Sequence, residues 1–401
     1  MYLESIESAY DKIRDVVVRT PLIYSPTFSK ICGTNNKVYL KCENLQTTGA
    51  YKLRGALHKI RTLSYEEKQR GVVCSSAGNH AQGVAYAATL ERINATIVMP
   101  KTTPYLKVQA TREFGGRVIL HGACYDDAYK EARRIEVEDG ATFIHPFDDI
   151  DIIAGQGSVG LEIFEDLPNA DIIVCPIGGG GLISGISTYA KEYARDVKII
   201  GVQSQGANAM ARSFGANKLI SLEQINTIAE GIAVKTPGEL TFSLIQQYVD
   251  EILTVSDHLI VDKLLMLLEK HKLVTETSGA ASLAALKQLN CTGKNVVCVL
   301  SGGNIDMLTL SSLVNSGFVS HGRLFCFGVE LANVPGQLLN VSKLLTNLGA
   351  NIVRLEHNQS KARNKYQNVQ LEVTVETNGF EHIQRIKEAF EENDYFITPQ
   401  Y

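Results

Sequence analysis

The chain has 401 residues, with 39 Lys and Arg against 43 Asp and Glu, a formal net charge of −4. That balance leaves no cationic excess for nucleic-acid phosphates or acidic lipids, and the length predicts two or three domains. Apolar residues at 45% and charged residues at 20% exclude disorder as the dominant state, and no apolar run approaches the ~20 residues of a membrane helix.

Residues 1–9 carry Glu4 and Glu7 rather than an apolar signal region. From about residue 37 to 315, β-rich runs alternate with helix-length segments. Strands are predicted at 37–43, 72–75, 95–99, 117–120, 141–144, 171–175, 198–202 and 295–300. Several are continuous Val and Ile runs, as expected of strands covered on both faces. Helices are predicted at 79–90, 125–138 and 257–270, the last capped by Ser256. The charge-dense stretch 130–138 reads as a solvated helix face ending at Gly140. This alternation predicts an α/β fold of parallel sheets with helices on both sides. Beyond Gly317 strands are predicted at 323–331, 351–355, 369–376 and 395–398, with helices at 337–348 and 380–392. That βαββαβ order is the ferredoxin-like split unit, a module of ~75 residues bounded near 316–322. The eight cysteines include no Cys-x-x-Cys pair, so neither a zinc site nor a disulfide framework is expected, and a cytoplasmic, reducing setting is.

Three glycine-bearing turns follow predicted strands and open helices: Ser75 to His80, Pro176 to Leu182, and Ser301 to Asn304. In open parallel sheets ligands bind beyond the carboxyl ends of strands, and helix N-termini attract anions. Gly178, Gly179, Gly180 and Gly181 form the strongest phosphate signal, because a tight turn alone explains two glycines better than four. A nicotinamide site is disfavoured. The third glycine of its fingerprint is missing, and the next strand ends in Gln203-Ser204 rather than an acidic ribose ligand. The segment from Glu43 to Ala56 runs from a strand into a helix, with Lys52 at or near the helix start. A cation is disfavoured there, which suits a lysine that must act as a neutral nucleophile.

Taken together, these segments resemble the pyridoxal-phosphate enzymes of the tryptophan-synthase-β structural type (type II). They resemble most closely the threonine dehydratases, or threonine ammonia-lyases. The resemblance spans residues 1–320, with four motifs in the family's order and spacing. It implies two parallel-sheet subdomains, the smaller, about 45–150, inserted in the larger. It implies that Lys52 carries pyridoxal 5′-phosphate as a Schiff base and that Asn79 faces the cofactor's 3′-hydroxyl. Gly178, Gly179, Gly180, Gly181 and Leu182 match the phosphate cradle, and Ser301 matches the residue that bonds the pyridine nitrogen. The loop Ser76, Ala77, Gly78, Asn79 and His80 resembles the one that grips the substrate carboxylate with backbone amides. His80 reads equally well as a helix-start residue. Ala50-Tyr51 stands where the family usually has Ser-Phe.

The implied reaction is β-elimination. Lys52, as a free amine, removes the Cα proton, the β-hydroxyl leaves, and a 2-oxo acid and ammonia are released. L-Threonine gives 2-oxobutanoate and L-serine gives pyruvate. The Ser301 hydroxyl would leave the cofactor ring a weaker electron sink than a carboxylate would, favouring prompt loss of the β-group. Serine racemase shares these motifs, but its second acid–base serine falls at Ala77, which cannot transfer a proton. A hydroxyaspartate dehydratase, or a catalytically silent amino-acid sensor that retains the fold, is also compatible with them. The histidines form no ligand cluster and no catalytic metal is expected. The family can hold a structural cation, for which Glu230 and Glu276 are candidate oxygen ligands that no spacing selects. Arg54 and Arg112 read as surface arginines.

Asn333, Val334, Pro335 and Gly336, between the module's first strand and helix, resemble the effector turn of ACT domains. The resemblance implies a regulatory domain over 323–401, with isoleucine the leading effector and a ligand-free dimerisation module the competing reading. A homodimer or homotetramer with small amino-acid ligands is expected.

Overall fold

A computed structural model describes residues 3–358 and 367–400. It divides into two compact units, Met1–Asp306 and Met307–Tyr401. Among the described residues no helix is long and apolar enough to cross a membrane. The eight cysteines are free thiols, most of them buried.

The first unit carries strands β1 (Leu22–Ser25), β2 (Lys37–Cys42), β3 (Val72–Ser75), β4 (Ala95–Met99) and β5 (Arg117–Leu120). They are followed by β6 (Thr142–Phe143), β7 (Ile172–Pro176), β8 (Lys198–Ser204), β9 (Glu251–Val255) and β10 (Asn295–Leu300). The larger sheet has the order β1-β2-β10-β7-β8-β9 and the smaller β5-β4-β3-β6. All pairings are parallel except β1 with β2. The Val and Ile runs behave as expected of doubly covered strands: every residue of β3 and β7 is buried. The sequence pattern does not mark edge strands β1 and β9. Both show mixed burial, so neither carries a continuous apolar run or a clean alternation.

The helices Asn79–Leu90 and Tyr125–Asp139 lie where predicted, the latter closed by Gly140 at φ +66°. The helix after Ser256 is shorter than predicted. It is α-helical over Asp257–Met266 and ends in a π turn, Leu267–His271, where Lys272 at φ +58° donates back to the Leu267 carbonyl.

The second unit begins with the helix Met307–Ser320. It continues through β11 (Leu324–Ala332), the helix Gln337–Asn347, β12 (Asn351–Asn358), β13 (Asn368–Glu376), the helix Phe380–Glu392 and β14 (Ile397–Pro399). Its antiparallel sheet has the order β12-β13-β11-β14. Phe327, Val329, Leu371, Val373, Ile386 and Phe390 build its core.

Candidate active site

The sheet order places the chemistry. Strands β2, β10 and β7 are neighbours, and from their carboxyl ends run, respectively, the Lys52 segment, the Ser301 turn and the four glycines. Lys52 is the first residue of the helix Lys52–Thr62. The chain before it is stitched to the Ser301 turn: Ala50 bridges Gly302, Tyr51 N–H donates to the Ser301 carbonyl (3.2 Å), and Gly303 N–H to the Gly49 carbonyl (2.8 Å). Ser301 is buried.

The Lys52 residue is half-buried but its amine is walled in, donating to the Pro146 carbonyl at 2.6 Å. Burial pushes this amine down to about 8, against the opposing pull of Glu276. The next residue, Phe147, packs its ring on the glycine turn, where a β-carbon at Gly179 would overlap the ring and one at Gly181 would lie 3.0 Å from the Phe147 backbone and Cβ. One dipeptide, Pro146-Phe147, therefore links the lysine to the cradle. Gly180 has φ +102°, a region open to glycine, and Thr241 Oγ1 braces the turn by donating to the Gly179 carbonyl (2.7 Å). The amides of Gly178 to Leu182 donate to no protein acceptor among the described residues, at the start of the helix Gly181–Tyr193. Free amides at a helix start fit a phosphate, and a buried amine that readily loses its proton fits the cofactor's aldehyde.

The loop from Ser76 to His80 leaves the carboxyl end of β3, the strand between β4 and β6 of the smaller sheet. Ser76 Oγ accepts from Gly78 N–H at 3.3 Å, and a β-carbon at Gly78 would meet nothing within 4 Å. Ala77 is partly buried and packs on the core behind the loop. His80 points away: its Nε2 pairs with the Ile144 carbonyl at 2.9 Å, and burial pushes the ring down to about 3, so it is a neutral helix-start residue. Asn79 Nδ2 donates to Glu276 Oε1 and its Oδ1 accepts from Asn304, both at 2.8 Å. Asn304 closes the Ser301 turn that the sequence picks out, whereas Pro146 and Phe147 join the site although no sequence motif singles them out. Pro146 and Phe147 follow the carboxyl end of β6, so the strand-end rule that finds the other turns marks them too.

Arg54 is not the surface arginine that the sequence suggests. It is fully buried, bonded to Glu43 (2.8 and 2.9 Å) and Glu162 (2.7 and 2.9 Å), with Lys41 on Glu162 at 2.6 Å. Only a closed set of opposite charges makes such burial tolerable. Arg112 is exposed. Of the candidate cation ligands, Glu230 is paired with Lys107 (2.7 Å) and Glu276 with Asn79. Among the described residues no group of three His, Cys, Asp or Glu side chains could hold a metal ion.

Residues 13–302 match the model of the family described as pyridoxal-phosphate dependent enzyme. The chain belongs to that family. This pyridoxal-phosphate-dependent protein is 44% identical to an L-threonine ammonia-lyase of Thermotoga maritima, over 98% of each chain. It is also 44% identical to an L-threonine ammonia-lyase of Geobacter sulfurreducens, over 95% of each. Among solved structures it is similar to the processed form of threonine deaminase isoform 2 from Solanum lycopersicum, with a TM-score of 0.75 and 36% identity, covering 79% of this chain and 88% of that one. Maize serine racemase is similar to the same degree, with a TM-score of 0.75 and 37% identity, covering 80% and 98%.

In the second unit the turn from Asn333 to Gly336 lies between β11 and the helix Gln337–Asn347. Asn333 N–H donates to the Gln367 carbonyl at 2.8 Å, Val334 is exposed, and Gly336 takes φ +97°.

Proposed function

We propose that the chain deaminates L-threonine by β-elimination to 2-oxobutanoate and ammonia, and L-serine to pyruvate. One observation carries the reading: a buried amine, that of Lys52, stands one dipeptide from an amide cradle that has no protein acceptors among the described residues. The near full-length relatives named above as L-threonine ammonia-lyases support the choice of substrate.

Pyridoxal 5′-phosphate, when bound, supplies the electron withdrawal that makes the substrate's Cα–H acidic. Gly178 to Leu182 would hold its phosphate, Asn79 its 3′-hydroxyl and Ser301 its ring nitrogen. The amides of the Ser76–His80 loop hold the substrate carboxylate. Lys52 Nζ takes the Cα proton, in a site where burial favours the neutral amine that a base must be. Loss of the β-hydroxyl as water, tautomerisation and hydrolysis then release the products. The likeness to serine racemase raises racemisation as a second activity, and Ala77, which has no proton to give, argues against it. The assay is 2-oxobutanoate release from L-threonine by the cofactor-loaded protein, with D-serine formation from L-serine as the competing readout. D-Serine without 2-oxo acid would replace the lyase reading.

The second unit, with its ferredoxin-like order, is proposed as an ACT-type sensor that binds an amino acid at the turn from Asn333 to Gly336. Isoleucine is the leading effector, acting on a cytoplasmic homodimer or homotetramer in isoleucine biosynthesis. If isoleucine leaves both activity and melting temperature unchanged, that assignment fails.

A further inference from the structure

Glu276 stands at the start of the helix Thr277–Ala284. Its backbone N–H donates to the Gly302 carbonyl (3.0 Å), and its Oε1 accepts from Asn79 Nδ2 (2.8 Å). A β-carbon at Gly302 would lie 2.9 Å from that oxygen and one at Gly231 3.0 Å, so two bare stretches of backbone make room for the carboxyl. The other end of the Asn79 amide is also held. Asn304 Nδ2 donates to Asn79 Oδ1 (2.8 Å) and is itself tied to the Thr48 carbonyl (2.8 Å). The clamp therefore draws on the Ser301 turn, the segment before Lys52 and the Thr277 helix. It leaves Asn79 one N–H on Nδ2 free to point elsewhere.

We propose that Glu276 is a positioning residue for the cofactor. By holding Asn79 against Asn304 it aims the remaining Nδ2–H at the cofactor's 3′-hydroxyl oxygen and so sets the proton balance of the bound chromophore. This rests on the reading of Asn79 given under Proposed function. A carboxylate acceptor makes a charge-assisted bond that a neutral one does not, so the grip depends on the protonation of Glu276. The residue keeps some exposure, but its carboxyl is shut in, and burial pushes it up to about 7. The titratable groups that face it are Lys107 from the helix Tyr105–Glu113, Glu230 from the turn Glu230–Ile232, Lys52, and the buried Tyr51 phenol, whose own proton the Glu276 charge helps to retain. Lys107 and Glu230 are paired with each other, and Lys52 acts on the carboxyl as a cation only while its amine is free of cofactor.

The test uses cofactor-loaded full-length protein as wild type, Glu276→Gln, Glu276→Ala, Asn79→Ala and the double alanine variant. It reads the visible absorption of the bound cofactor across roughly pH 5 to 9 and the cofactor dissociation constant. Wild type should show a spectral inflection near pH 7. Glu276→Gln keeps an acceptor and should hold the dissociation constant within about threefold while losing the inflection. Glu276→Ala should weaken cofactor binding about tenfold, and by less than about twofold in the Asn79→Ala background. An inflection that survives in Glu276→Gln, or alanine effects that multiply independently, overturns the proposal. If Glu276→Ala does not fold, the Glu276→Gln titration decides alone. Spectral coupling in a protein that yields no 2-oxobutanoate would sink the lyase reading and leave this one standing. An active lyase without the coupling would do the reverse.

Discussion

Replacing Arg54 probes the scaffold beneath Lys52. The guanidinium sits two residues beyond the lysine on the same helix, fully buried with Lys41, Glu43 and Glu162, so that two positive and two negative charges cancel. Arg54→Met roughly preserves volume but removes four charged hydrogen bonds of 2.7–2.9 Å and leaves two carboxylates facing Lys41 alone. Breaking a buried ion pair from one side costs about 3–5 kcal/mol, and with these side chains at 0% exposure the upper half of that range applies, about 4–5 kcal/mol. The double variant Arg54→Met/Glu162→Gln removes one charge of each sign and should recover about 2 kcal/mol of the loss. The pH dependence carries a second signature. Burial would raise the Glu43 carboxyl, but Arg54, with Lys41 and Thr20, holds it below the ordinary 4.5. The stabilisation is therefore present above pH 4.5 and lost as pH falls through the lower folded value, and Arg54→Met should abolish it. Urea unfolding of the cofactor-free chain measures both effects. A loss below about 1 kcal/mol in the single variant, or a double variant less stable than the single, would refute the reasoning.

Three further outcomes follow from the site. Because burial holds the Lys52 amine near 8, capture of pyridoxal 5′-phosphate by the cofactor-free protein should quicken about tenfold per pH unit below 8 and level off above it; a rise continuing towards 10.5 contradicts that burial. His80 sits near 3 when folded and at the ordinary 6.5 when unfolded, so the unfolded state binds more protons between those values. Stability should fall as pH drops below 6.5, by up to about 1.4 kcal/mol per unit, and His80→Gln should flatten that slope in thermal melts at pH 7 and 5. Gly179→Ala drives a β-carbon into the Phe147 ring and through it shifts the Pro146 carbonyl from Lys52; the cofactor dissociation constant should rise at least about tenfold, and unchanged binding would break that link.

Local signals are what the sequence makes legible. The Val and Ile runs of β3, β7 and β10, the Asn79 helix start and the four glycines each declare themselves within a dozen residues, and the alternation of strand and helix then dictates which ends meet. Edge strands β1 and β9 are short and unevenly buried, so no periodicity marks them. Arg54 looks like any helical arginine until Glu162, 108 residues further on, is folded against it. Glu276 is visible in sequence only as an oxygen donor, because its partner Asn79 lies 197 residues away. Partnerships between distant polar side chains have no period, and the fold alone brings them together.

The central claim is tested most directly by 2-oxo acid release from L-threonine by pyridoxal-phosphate-loaded protein, with Lys52→Ala measured in parallel. The account predicts 2-oxobutanoate and ammonia in equal amounts from the wild type and none above background from the variant. A loaded wild type that releases no 2-oxo acid from threonine or serine, or a Lys52→Ala protein that still does, would contradict it.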